Sequence, residues 1–153
     1  MTDLDATDLR LMAALQRDGR MTNAELADKV HLSASACHRR VQRLEKLGVI
    51  GGYVAIVNAR NIGLSTTVFV EITLSGQADE LLDAFERAVR LIPDVLECHL
   101  MAGSADYLLK VVARDTEDFA RIHRRHLARL PGVAQMQSSF ALRTVRSTTA
   151  LPI

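Results

Sequence analysis

The apolar residues between positions 4 and 48 recur every three or four residues, in three short runs separated by polar breaks. This spacing predicts three amphipathic helices, each with one apolar face. Each run also begins with a residue type that caps a helix: Asp5, Thr22 and Ser33. The second and third runs are separated only by "HLSA", and the third ends at Gly48. Two short helices joined by a tight turn are typical of a helix-turn-helix.

The third predicted helix has a basic, polar outer side. Its apolar stripe consists of Cys37, Val41 and Leu44, and Arg40 lies nearer to this stripe than the other cations. Side chains of the outer side could hydrogen-bond to base edges or neutralise phosphates. An isolated basic helix is usually only a solvated surface, so the prediction of DNA binding depends on three capped helices in succession. The candidate DNA-binding residues are Ser33, Ser35, His38, Arg39, Arg40, Gln42, Arg43 and Lys46.

The segment after the third helix combines glycine with β-forming residues. Val49 and Ile50, a Gly51-Gly52 turn and the stretch 53–57 predict a small hairpin, or wing. The next residues, "NARNIG", look like a hinge. We therefore assign residues 1–57 to a winged helix-turn-helix domain and 58–64 to a hinge.

The remaining residues, 65–153, alternate between strand and helix patterns. "TTVFVEITL" has period two, a helical stripe follows from 78 to 92, and two strands flank the turn at Gly103. A second helix begins after Asp115, places Phe119, Ile122, His126 and Leu130 in line, and is followed by a long final strand, "VAQMQSSFALRTVR". The order β-α-β-β-α-β predicts a ferredoxin-like domain, and hence an α+β protein. If both helices cover one sheet face, Phe69 and Leu96 stay exposed on the other, which predicts at least a dimer.

Three stretches resemble the Lrp/AsnC (feast/famine) transcriptional regulators: "LDATDLRLMAALQRDGRMTNAELADKVHLSASACHRRVQRLEKLGVIGGYVA", "ECHLMAGSADYLLKV" and "LPGV". The "GxxDY" turn makes this resemblance more specific than a helix-turn-helix alone. It implies dimers that assemble into octamers, DNA wrapped or bent around the particle, and amino acids as effectors. It also implies that Ser35, His38, Arg39, Gln42 and Arg43 face the operator. Two departures from many relatives are Ala34 in place of proline and the small residues of the loop "GSAD".

The same resemblance implies an effector site between dimers. An amino acid needs an acceptor for its ammonium group, which Asp106 can supply, and donors for its carboxylate, which Ser104 and backbone N–H groups can supply. The alternative is that Gly103 only makes the hairpin turn and Asp106 caps it. The implied effector-binding residues are Gly103, Ser104, Asp106, Tyr107, Ser138, Ser139 and Phe140.

Composition and charge narrow the class of protein. The formal net charge is only +1, so the nucleic-acid prediction depends on the local charge of one helix. The acidic start and the lack of a long apolar run predict a cytoplasmic chain without a signal peptide or membrane span. The "HRRH" histidines and Cys98-His99 lack further ligands for a metal, and no nucleophile elbow or phosphate loop occurs.

We expect a sequence-specific transcriptional regulator that is not an enzyme, has no metal or cofactor, and responds to an amino acid. Its expected partners are double-stranded DNA and further copies of itself, as dimers or octamers. Two alternatives stay open at this point. One is an architectural DNA organiser, and the other is an amino-acid-binding regulatory module with a vestigial helix-turn-helix.

Overall fold

The computed structural model describes residues 3–153. These residues divide into two compact units. The first comprises the chain up to Ile56 together with Arg146–Ile153, and the second is Val57–Val145. The sequence-based boundary of 65–153 instead places the last eight residues with the second domain.

Three helices form the first unit: α1 (Ala6–Arg17), α2 (Asn23–Val30) and α3 (Ala34–Lys46). The predicted caps are present, because Asp5, Thr22 and Ser33 each accept a hydrogen bond from a backbone N–H of the first turn. One face of each helix is apolar, and these faces enclose a small core. Its fully or nearly fully buried members are Leu11, Ala14, Leu26, Ala27, Val30 and Cys37.

The predicted hairpin is wrong, since no strand forms among the described residues 49–57. The N–H groups of Val49 and Ile50 both donate to the carbonyl of Leu44, at 3.0 and 3.2 Å. Gly48 is left-handed, with φ +69°, and its N–H donates to the carbonyl of Glu45 at 2.9 Å, so this bond and that of Val49 form a Schellman motif at the end of α3. The cap thus uses the N–H groups of Val49 and Ile50, which are then not available to a strand ladder.

The second unit contains a four-stranded antiparallel sheet and two α-helices. It opens with a short 3-10 turn at Ala59–Ile62. The sheet order β2-β3-β1-β4, with the chain order β-α-β-β-α-β, confirms the ferredoxin-like, α+β prediction. The elements are β1 (Thr66–Leu74), α4 (Asp79–Val89), β2 (Val95–Leu100), β3 (Tyr107–Ala113), α5 (Thr116–Arg125) and β4 (Val133–Phe140).

Alternation along β1 separates the two faces of this sheet. Val68, Val70 and Ile72 are fully buried in the core, as their period-two spacing predicts. Phe69 lies between them on the opposite face and is 39% exposed. Leu96 of β2 is 56% exposed, but it falls at a register shift and lines a groove with residues of α4, so its exposure does not mark the open face. The sheet therefore has one face in the core of this unit and one open face.

Three predicted elements are longer than the observed ones, and one of them is the helix predicted over 78–92, which is α4, Asp79–Val89. The last strand ends at Phe140 because the following N–H, that of Ala141, makes a final bond to Thr67 near the start of β1. Beyond that point β1 has no residues left to pair with. Similarly, α5 ends at Arg125, so His126 does not continue its stripe, and a 3-10 turn over Leu127–Arg129 follows. Within residues 3–153, no helix is both long and apolar enough to cross a membrane.

Candidate DNA-binding helix and effector site

Helix α3 is held in the first unit by its apolar stripe. Cys37 and Leu44 are fully buried, and Val41 packs against the same core. The opposite side of the helix is exposed, as the helical wheel predicts. Seven of the eight candidate DNA-binding residues are exposed and Arg40 is partly buried; the exposed ones are Ser33, Ser35, His38, Arg39, Gln42, Arg43 and Lys46.

Two of the candidate arginines are bound by carboxylates of α1. The guanidinium of Arg40 donates to Oδ2 of Asp5 at 2.7 Å and to Oδ1 of Asp8 at 2.8 Å. That of Arg43 donates to Oδ2 of Asp8 at 3.0 Å and to the carbonyl of Asp3 at 2.7 Å. These bonds connect the start of α1 to the middle of α3, and residues that are 32 to 40 positions apart in sequence form one cluster.

The cluster changes the ionisation of its carboxyl groups. Burial raises the pKa of Asp8, but hydrogen bonds from Arg40 and Arg43 outweigh it and leave that pKa below the usual value. For Asp5, the N–H of Asp8 and the guanidinium of Arg40 lower the pKa. Both carboxyl groups are therefore charged at neutral pH and form ion pairs with the arginines.

The remaining polar side chains of α3 are not engaged in this way. Among the described residues, His38, Arg39, Gln42 and Lys46 make no side-chain hydrogen bond or ion pair. Ser33 caps the helix by accepting from the N–H of Ala36 at 3.3 Å. The helix thus presents one side with four unengaged polar or cationic groups, which can meet phosphates and base edges.

The candidate effector loop between β2 and β3 combines exposed and structurally engaged residues. Gly103 and Ser104 are exposed. The carboxylate of Asp106 accepts from the N–H of Leu74 at 2.7 Å and from Nε2 of Gln77 at 3.0 Å. Asp106 therefore ties this loop to the end of β1, a role in line with the capping alternative, and each of its oxygens keeps a second lone pair that can accept another hydrogen bond.

Tyr107 belongs to the core of the second unit. It is 1% exposed and its ring lies 4.4 Å from that of Phe85, centroid to centroid. Its hydroxyl donates to Oε1 of Glu86 at 3.0 Å, and burial raises the pKa of this phenol. The side chain of Tyr107 therefore packs beneath the sheet rather than into the exposed loop.

The candidate residues of β4 lie away from this loop within one chain. Tyr107 pairs with Ile72, which pairs with Met136, and Ser138 lies two residues further along β4. Strand spacing and rise then separate the Cα atoms of Tyr107 and Ser138 by about 12 Å. Phe140 packs edge-to-face on Phe119, with centroids 5.3 Å apart. A single subunit does not bring the two groups of candidates together.

A groove between α4 and β2 was not anticipated from the sequence. It has a volume of about 310 Å³ and is lined by Glu86, Arg90, Cys98 and Tyr107, among others. Burial raises the pKa of Cys98 to about 11, so its thiol is neutral and unreactive at physiological pH. Within residues 3–153 no three His, Cys, Asp or Glu side chains are grouped so that they could hold a metal ion.

Comparison with protein families decides the class of this protein. A model of the Lrp/AsnC ligand binding domain matches residues 67–151, and one of a winged helix-turn-helix DNA-binding domain matches residues 4–50. The chain belongs to the Lrp/AsnC family. The sequence-based resemblance is confirmed, and this Lrp/AsnC protein is a transcriptional regulator with a DNA-binding helix-turn-helix and a ligand-binding domain.

Individual relatives match this Lrp/AsnC protein over nearly its full length. The leucine-responsive regulatory protein of Escherichia coli K12 is 39% identical over 151 residues, which cover 99% of this chain and 92% of that protein. A transcriptional regulator from Neisseria meningitidis, solved as a complex with L-Met, is 35% identical with a TM-score of 0.92, covering 98% and 97% of the two chains. An AsnC family regulator from Agrobacterium tumefaciens is also 35% identical, with a TM-score of 0.93 and 97% of each chain covered.

Proposed function

We propose that this regulator recognises its operator through the unengaged side of α3. The observation that carries the proposal is the exposed row of Arg39, Gln42 and Lys46, which bind no other described side chain, with Ser35 and His38 beside them. Arginine and glutamine can form paired hydrogen bonds to guanine and adenine in the major groove, whereas lysine neutralises phosphate. The helix stands on a core of buried residues, which supplies the rigidity that base readout needs.

We further propose that an amino acid is the effector. Two proteins similar to this chain support the proposal, one described as leucine-responsive and one solved with L-Met bound. Gly103 and Ser104 offer exposed N–H and hydroxyl groups for a carboxylate. Because Ser138 and Ser139 lie elsewhere in the same chain, they would join this loop in one pocket only if a second subunit supplies them.

The proposed pocket requires an assembly of several copies of the chain. We place this assembly in the cytoplasm, where the regulator can reach DNA. The open sheet face, with Phe69 exposed on it, supports dimer formation because burial of such apolar surface stabilises association. Dimers would place two copies of α3 on half-sites one helical turn, or a multiple of it, apart. Octamers would extend this arrangement along the DNA, and effector binding would favour one assembly over another.

One titration experiment tests both proposals. A binding sequence is first selected from random DNA, and its affinity is compared with that of bulk DNA by fluorescence anisotropy at fixed salt, with and without each of the twenty amino acids. We expect a ratio of at least about 10³ in favour of the selected sequence. At least one amino acid should change the selected-site affinity several-fold, which reflects a coupling free energy of about 1–3 kcal/mol.

The Arg39→Ala variant identifies the reading side. Its operator affinity should fall by about 1–3 kcal/mol, while sedimentation shows an unchanged oligomer. A ratio of selected-site to bulk-DNA affinity near one for the native protein would instead indicate an architectural DNA organiser. Native operator affinity in the variant would remove Arg39 from the interface.

A further inference from the structure

The carboxylate of Asp8 is the most enclosed charged group described in the first unit. Asp8 is 1% exposed, and its two oxygens accept from Arg40, from Arg43 and, at 3.3 Å, from the N–H of Asp5. A buried carboxylate is stable only when its charge is paired and its lone pairs are used. Asp8 and the two arginines therefore depend on one another, and the pairing fixes where the middle of α3 lies against the start of α1.

This pairing also determines how much positive charge α3 can offer to DNA. Four cations lie on the helix, at Arg39, Arg40, Arg43 and Lys46. Arg40 and Arg43 are bound by the carboxylates of α1, whereas Arg39 and Lys46 have no ionic partner within residues 3–153. Only half of the formal charge of the helix is therefore free to neutralise phosphates.

We infer that Asp8 is a positioning residue that sets sequence discrimination by anchoring α3, and that it lowers affinity for all DNA by withholding Arg40 and Arg43 from the DNA backbone. The inference rests on the proposed role of α3 in operator binding. Each additional cation that reaches a phosphate strengthens binding to every sequence equally, through counterion release. Withholding two of them therefore lowers affinity for all DNA, whereas anchoring α3 fixes the geometry of its base contacts and favours the operator alone.

The Asp8→Asn variant tests the inference through the sign of its effect. Asparagine retains the size and one acceptor, and Asp5 still binds Arg40, so the substitution frees mainly Arg43. One further phosphate contact steepens the dependence of log K on log salt by about 0.9, which is roughly an eightfold gain in bulk-DNA affinity at 0.1 M salt. The same contact raises operator affinity by the same factor, so the ratio of operator to bulk affinity should fall because α3 loses part of its anchor and its base contacts lose their fixed geometry.

A purely structural role for Asp8 gives the opposite result. Loss of folded protein would lower the affinities for operator and bulk DNA together and would not steepen the salt dependence. Asp28→Asn is the matched control, since Asp28 is exposed on α2, has no ion pair among the described residues, and carries the same charge. This control should change bulk-DNA affinity by less than twofold.

A second pair of variants tests the withheld arginines even if Asp8→Asn does not fold. Arg39→Gln should lower operator affinity and reduce the salt slope by about 0.9, because it removes a phosphate or base contact. Arg40→Gln should lower operator affinity through lost anchoring but leave the slope unchanged.

Three results would overturn the inference. The first is an equal decrease of the salt slope (log K against log salt) in Arg39→Gln and Arg40→Gln. The second is a bulk-DNA affinity of Asp8→Asn no higher than that of Asp28→Asn. The third is a decrease of both operator and bulk-DNA affinity in Asp8→Asn. If the native protein bound neither the selected operator nor bulk DNA, the proposed function of α3 itself would be refuted. Failure of the proposed function is therefore distinguishable from failure of the inference about Asp8.

Discussion

The turn that leads into β4 offers a quantitative test of packing in the ligand-binding unit. Gly132 is left-handed, with φ +73°, and its carbonyl accepts from the N–H of Ser75 at 2.8 Å. A Cβ atom at this position would lie 2.4 Å from Cδ1 and 2.9 Å from Cγ of Leu81. Because Cγ itself is too close, rotation about χ2 alone cannot relieve the clash, and Leu81 would have to change its χ1 rotamer or move its backbone.

Gly132→Ala therefore has two costs. A left-handed conformation costs a non-glycine residue about 1–2 kcal/mol. Forcing an extra methyl group into a packed site costs about 1–3 kcal/mol more. The lower entropy of the unfolded chain returns about 0.4–1 kcal/mol. The net loss in the free energy of unfolding should be about 1–4.5 kcal/mol.

Gly63→Ala is the matched control. Gly63 is also left-handed, with φ +84°, but no heavy atom lies within 4 Å of the added Cβ. The variant keeps the backbone cost and lacks the steric one, so its loss should be about 0–1.5 kcal/mol. Urea unfolding followed by far-ultraviolet circular dichroism measures both variants at the same protein concentration, since oligomers depend on it.

The comparison of the two variants decides the argument. A difference of 1–3 kcal/mol between them is the steric contribution of Leu81. If the two variants lose the same stability within about 0.5 kcal/mol, Leu81 moves aside for the added methyl group at little cost in free energy. The steric reasoning would then be refuted, whereas the backbone reasoning would stand.

Two further predictions concern carboxylates. Asp106→Ala removes the acceptor for Leu74 and Gln77, so the free energy of unfolding measured in urea should fall by about 1–3 kcal/mol. We also expect the variant to lose the amino-acid response. Unchanged effector affinity in calorimetry would exclude Asp106 from the pocket. Asp5 and Asp8 have lower pKa values in the folded protein than in the unfolded chain. Their stabilisation is therefore complete above about pH 4 and is lost as pH falls through the folded values. The melting temperature should therefore fall as the pH is lowered below about 4, and it should fall less steeply with pH in Asp8→Asn. Equal slopes of melting temperature against pH in the two proteins would contradict this prediction.

Local signals in the sequence predict most of the fold. Caps at Asp5, Thr22 and Ser33 act over three residues, so reading neighbouring positions is enough to find them. Alternation in β1 likewise predicts which side chains face the core, because the period of a strand is fixed.

The missed features depend on partners that are distant in sequence. A helical wheel shows that Arg40 lies near the apolar stripe, but it cannot show that Asp8, 32 residues away, binds it. The sequence predicts too long a final strand for the same reason, since the end of β4 is set by where β1 begins. Tyr107 has the residue type of a binding site, and only the tertiary structure shows that its ring packs on Phe85.

The division of α3 into an anchored side and a free side bears on how operator preference can be redesigned. Replacing Arg39, Gln42 or Ser35 removes no hydrogen bond or ion pair to another helix within residues 3–153, so new sequence preferences could be screened at these positions with little risk of misfolding. Transplanting α3 into another scaffold is a different matter. The graft would carry Arg40 and Arg43 with it, and without an acidic counterpart at the start of the first helix they would become free cations that bind any duplex.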